Sequence, residues 1–161
     1  MRRPSRATLS RLAEVLVPWA VGVLLFLTVV DWADSETAAP AVLLAFALAI
    51  VQGAALWWRR RRPEVVTAIV LAAGLGFQLL IPEVVLPFAG FFAVGSLAAA
   101  RPPRVSLIGL AGLEALAAVN FVTTTVGDTL FTMAVAVGAW ALGEAARSRR
   151  VAIDERPPAG R

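Results

Sequence analysis

Apolar residues fall along this chain in long unbroken runs, without the striping of a surface helix or the alternation of a half-buried strand. Six runs stand out, at 12–30, 41–58, 65–81, 84–100, 105–125 and 129–146. Each has about the length that an α-helix needs to cross the hydrocarbon core of a bilayer at 1.5 Å rise per residue. Helices on a soluble core would carry polar outer faces, and these runs have almost none. The pattern predicts an all-α, polytopic membrane protein of about six transmembrane helices. Residues 1–11 and 147–161 are then polar tails flanking a membrane domain at 12–146.

The polar breaks between the runs are as ordered as the runs. Trp57 and Trp58 end the second run, Arg59, Arg60, Arg61 and Arg62 follow, and Pro63 stops the helix before the third run begins. A single Arg at the bilayer centre costs at least roughly 3 kcal/mol, so this stretch reads as a turn at one membrane face. Arg101-Pro102-Pro103-Arg104 is a second basic turn, and Arg147, Arg149 and Arg150 follow the sixth run. The intervening breaks hold Asp31, Asp34, Glu36, Glu83 and Asp128 and no Arg. The positive-inside rule makes the arginine side cytoplasmic. Six crossings with both termini in the cytoplasm satisfy every loop, whereas an odd number would place an arginine cluster outside. The expected location is a bacterial inner membrane.

Single residues refine the helices. The first run is long for the apolar segment of a signal peptide, and no clear small-x-small cleavage site follows it, so it reads as a retained helix. Arg11 lies one turn from Glu14, and Pro18 is expected to kink the helix. Pro40 starts the second helix, and Pro63 with Glu64 opens the third, both residue types suiting a helix N-terminus. Pro87 complicates the fourth. A helix starting at Phe88 has only about 13 residues and would be tilted, re-entrant or mismatched with the bilayer.

Composition narrows the chemistry. The chain is 59% hydrophobic and 16% charged, with a mean hydropathy of +0.78, against about 45–50% and about 25% in a soluble domain. It has no Cys, His, Tyr or Lys. Disulfides, thiolate or imidazole metal sites, and Cys or His catalysis are thereby excluded. The net charge of +4 and pI near 11.4 come from short clusters between apolar runs. Such clusters suit anionic lipid headgroups and not a nucleic-acid groove, so the bilayer is the expected partner and no nucleic acid is.

Few residues remain as candidates for function. Glu114 is the carboxylate deepest in a run. It could form an interhelical hydrogen bond with Asn120, Gln52, Gln78 or a hydroxyl, take part in sensing, or serve transport. Ala134 with Gly138, and Ala139 with Gly143, are small-xxx-small pairs that let helix backbones approach, within one subunit or across a dimer. Gly90 and Gly95 have phosphate-loop spacing but lack the following Lys-Ser/Thr. Thr123, Thr124 and Thr125 suit backbone capping, solvent contact or a ligand. No catalytic triad, carboxylate pair or metal constellation is present, so no catalytic residue, metal or cofactor is expected. A small transporter stays open as an alternative, although no matching pair of broken helices marks two inverted halves.

Three stretches carry a resemblance. Arg60-Arg61-Arg62-Pro63 precedes a Val/Ala/Leu-rich helix. Phe92-Ala93-Val94-Gly95-Ser96-Leu97-Ala98-Ala99-Ala100 leads into Arg101-Pro102-Pro103-Arg104. Trp140-Ala141-Leu142-Gly143-Glu144-Ala145-Ala146 leads into Arg147-Ser148-Arg149-Arg150. In this order they resemble the N-terminal membrane domain of actinobacterial sensor histidine kinases of the nitrate-sensor/desaturase-regulator class, over roughly residues 12–150. The resemblance implies a membrane sensor whose last helix passes a signal to a cytoplasmic dimerisation helix. That helix carries the phosphoacceptor His in the family, and an ATPase domain follows it. Here Val151 to Arg161 follows instead, without His and without room for an ATP site, so kinase activity is not carried over. The expectation is a non-enzymatic sensing module acting through a homodimer or a histidine-kinase partner, as a stand-alone copy or a truncated gene product.

Overall fold

A computed structural model of the chain describes residues 6–33, 39–81, 87–119 and 125–154. The fold is all-α, as the apolar runs predict. Its helices are α1 (Arg6–Trp32), α2 (Ala39–Ala55), α3 (Pro63–Leu80), α4 (Phe88–Ala100), α5 (Pro103–Val119) and α6 (Val126–Asp154), with a 3₁₀ turn at Leu56–Trp58 after α2. Four segments are long and apolar enough to cross a membrane: α1, α2 with its 3₁₀ turn, α3 and α6. Large apolar side chains cover the outside of the bundle, with Leu43, Leu79, Ile108 and Leu142 each more than two-thirds exposed. In water this surface would be one continuous adhesive patch, and hydrocarbon is the solvent that suits it.

Local chemistry explains the helix ends. The 3₁₀ turn closes the second helix as the Arg61 and Arg62 amides fold back onto the Trp58 carbonyl at 2.9 and 3.0 Å. Pro63, which has no amide hydrogen, takes the first helical position of α3, and Glu64 lies in its first turn. At the start of α6 the Asp128 amide donates to Thr125 Oγ1 at 3.1 Å, while that hydroxyl donates to Asp128 Oδ2 at 2.7 Å. Thr125 is therefore an N-cap. Asp128 belongs to the first turn of the helix, where the polar pattern alone suggests a loop. Two helices also outrun their apolar stretches. α1 begins at Arg6, and α6 continues through Arg147, Arg149 and Arg150 to Asp154. Polarity ends a hydrophobic span but not a helix, and Arg is a good helix former. α1 is continuous across Pro18.

The helices alternate in direction, which brings the two basic turns, the start of α1 and the end of α6 to one end of the bundle. α1 packs on α2, α2 on α3, α3 on α4 and α5, and both α4 and α5 on α6. α4 sits at the centre. It is the short helix, with 13 residues, or about 20 Å against a hydrocarbon core of about 30 Å. Its neighbours shield it, since most of its residues are buried, among them Ala89, Phe91, Ala93, Val94, Leu97 and Ala98. A helix enclosed by protein has no need to match the lipid by itself. α4 also joins two cores. Ala89 and Ala93 enter a cluster with Val21, Leu25, Ala45, Val70 and Phe77, whereas Phe91 and Val94 enter a second with Leu113, Leu116 and Ala136.

Candidate functional site

The basic end is tied together by three carboxylates, each on a different helix. Glu14 of α1 pairs with Arg60, and Glu64 of α3 pairs with Arg101. The fold brings Arg60 to Glu14 from beyond α2, and the Arg11 side chain, which sequence spacing suggests for Glu14, lies outside the described residues. Glu144 of α6 accepts from Arg147 Nη2 at 2.6 Å and Nε at 3.2 Å. The first two pairs are nearly half exposed, and pairs of that kind contribute about 0–1 kcal/mol.

The third pair belongs to a more enclosed network. Ser106 of α5 is fully buried. Its Oγ lies 2.9 Å from Glu144 Oε1 and 3.1 Å from the Pro103 carbonyl. The single hydroxyl hydrogen can serve one acceptor, and the charged carboxylate is the stronger. Ser106 Oγ accepts in turn from Trp140 Nε1 at 3.0 Å. Trp140, Ser106, Glu144 and Arg147 thus fasten the basic half of α6 to α5. Trp140, Glu144 and Arg147 lie in one of the resemblance stretches, and their i, i+4 and i, i+3 spacing is legible as one helix face. Ser106 carries no such signal, because its partners lie more than thirty residues away in sequence.

α6 meets α4 with nothing larger than a methyl group at the crossing. A Cβ on Gly143 would lie 2.3 Å from the Gly95 carbonyl oxygen, 2.8 Å from Ala98 Cβ and 3.1 Å from the Ala99 amide nitrogen. A Cβ on Gly95 would lie 3.1 Å from the Ala139 carbonyl oxygen. Ala139 and Gly143 therefore form a backbone-to-backbone crossing within the subunit. Gly138 is different: a Cβ there would meet nothing within 4 Å, and Ala134 on the same face is exposed.

The four consecutive arginines part company. Arg59 and Arg60 line a cleft between α4 and α6, joined there by Arg150. Arg61 and Arg62 line a separate depression with Trp58, Val65 and Ile69. Arg59 is buried and donates from Nη1 to the Leu56 carbonyl at 3.2 Å. Its burial, then the neighbouring Arg60, lower its pKa, and Glu14 opposes them. An arginine starts so high that it stays charged at any physiological pH. Arg101, Arg104, Arg149 and Arg150 are exposed at the same end.

The polar residues inside the bundle are only partly accounted for among the described residues. Glu114 Oε1 is buried without a hydrogen-bond partner, as are Gln52 Nε2 and Gln78 Nε2. Asn120, Thr123 and Thr124 lie outside the described residues. Among the described residues no group of three carboxylates gathers in the manner of a metal site.

No curated protein and no solved structure matches the chain. A family model does match, over residues 7–150, a range that takes in the three resemblance stretches, the network around Ser106 and the α4–α6 crossing. The chain belongs to the family described as a domain of unknown function (DUF7134).

Proposed function

We propose that this chain is a six-crossing, non-enzymatic sensing module of a bacterial inner membrane, with both termini cytoplasmic, which passes a signal through α6 to a partner. The observation that carries the reading is the form of α6. It is one helix from Val126 to Asp154, held by α4 at Gly143 and by α5 at Ser106, and it leaves the bundle as a basic, exposed helical segment. A shift of α4 or α5 within the bilayer therefore moves that segment. The resemblance to the membrane domain of sensor histidine kinases supports the same output. The distribution of arginine supports the orientation. The apolar run beginning in α5 continues in sequence to Thr125, which supports a fifth crossing, and α4 would be the sixth, short one.

The test is capture of the partner. A photo-crosslinking residue at Ser148 or Val151, on the exposed end of α6, should trap a histidine kinase, and deletion of the gene should alter a two-component output. Crosslinking that yields no kinase, together with unchanged two-component outputs in the deletion strain, would reject the proposal.

A further inference from the structure

The cleft between α4 and α6 has a volume of about 660 Å³ and is amphipathic along its length. At its basic mouth are Arg59, Arg60 and Arg150. Its walls are apolar, with Phe91, Phe92 and Leu142 prominent. The cleft runs beside the crossing, whose residues Gly95, Ala139 and Gly143 form its floor. Phe92 and Leu142 are exposed on its rim, so the cleft opens on the lipid-facing side of the bundle.

We propose that this cleft binds one anionic phospholipid. Its phosphate lies among Arg59, Arg60 and Arg150, and an acyl chain runs along Phe91, Phe92 and Leu142. Three arginines line the cleft and, among the described residues, no carboxylate does. Among the described residues Glu14 engages Arg60, and one carboxylate leaves donors of that fork for a phosphate. From Phe91 to Ala100 the cleft follows α4 for about 14 Å, enough for most of one acyl chain. A groove between α1 and α2 supplies an internal contrast. It is equally large, at about 660 Å³, and is walled by Trp19, Phe26, Phe46, Ile50 and Trp57 with no cation. That groove suits the tails of any lipid, whereas the α4–α6 cleft selects for headgroup charge. A lipid bound there bridges the α2–α3 turn to the end of α6. The inference requires only that the bundle lies in a bilayer, and it is independent of the signalling reading.

The experiment is native mass spectrometry of the full chain in detergent, titrated with dioleoyl phosphatidylglycerol or dioleoyl phosphatidylcholine. Phosphatidylglycerol should form a saturable one-lipid adduct that phosphatidylcholine does not. R60Q/R150Q should weaken it by roughly fivefold for each arginine removed. R104Q/R149Q removes the same charge at the same end and should leave it unchanged. Leu142→Trp fills the cleft with every arginine in place and should abolish the adduct. R150Q alone, at an exposed position on α6, carries the test if R60Q/R150Q fails to fold. Equal weakening in the two double variants would mean bulk attraction and would overturn the proposal, as would equal binding of the two lipids. Competition by glycerol 3-phosphate at the lipid's own concentration would overturn it as well, since the polar anion alone would then suffice.

Discussion

Replacing Gly143 with Ala should separate α4 from α6, while the same change five residues away at Gly138 should not. The added Cβ at Gly143 would sit 2.3 Å from the Gly95 carbonyl oxygen, whereas ordinary contact begins near 3.4 Å. The obstruction is α4 backbone, so no rotamer change relieves it, and α6 must withdraw by roughly 1 Å to restore van der Waals distance. Overpacking of this kind costs about 1–3 kcal/mol. Exchanging Gly for Ala in a helix returns up to about 1 kcal/mol. Relative to Gly138→Ala, in which the same helix term operates, Gly143→Ala should lose about 1–3 kcal/mol. Gly138→Ala meets nothing within 4 Å and keeps only the favourable helix term. Reversible unfolding in mixed micelles measures both variants. Because the chain has no cysteine, spin labels at S96C and A145C report the α4–α6 separation directly. Equal stability of the two variants, with an unchanged spin-label distance in Gly143→Ala, would refute the crossing at Gly143.

Other positions give sharp expectations. Ser106→Ala removes the acceptor of Trp140 and the donor to Glu144 at a fully buried site, and should cost about 1–3 kcal/mol by the same unfolding assay. Combined with Glu144→Gln it should cost less than the sum of the two single changes, because both break one network. Glu114→Gln should leave stability and signalling unchanged, given that Glu114 Oε1 has no hydrogen-bond partner among the described residues. Substrate flux in proteoliposomes that disappears in Glu114→Ala would instead favour transport. Gly138→Ile, on the exposed face of α6, should leave the monomer folded. If that face holds a second copy, it should also abolish disulfide crosslinking between L130C copies.

Much of this architecture is written in local chemistry. The helix lengths follow from apolar runs, Pro87 marks the start of α4, and the arginines mark one end of the bundle. What stays hidden depends on contacts between distant residues. Nothing near Ser106 in sequence announces Trp140 and Glu144 as partners. Arg60, which pairs with Glu14, lies more than forty residues from it along the chain, and no local spacing announces the pair. Ala134 with Gly138 and Ala139 with Gly143 are the same pattern, offset by five residues, and only the position of α4 separates a buried crossing from an open face. The extension of α6 to Asp154 is hidden for another reason. The change from apolar to basic residues reports the edge of the bilayer, and the helix continues regardless.

The orientation of the bundle underlies the signalling proposal, and single-cysteine accessibility tests it most directly. With no native cysteine in the background, A33C and G127C should react with a membrane-impermeant maleimide in intact cells. R104C and S148C should react only in inverted vesicles or after permeabilisation. Labelling of R104C or S148C from outside intact cells, or of the two sets from the same side, would contradict the topology.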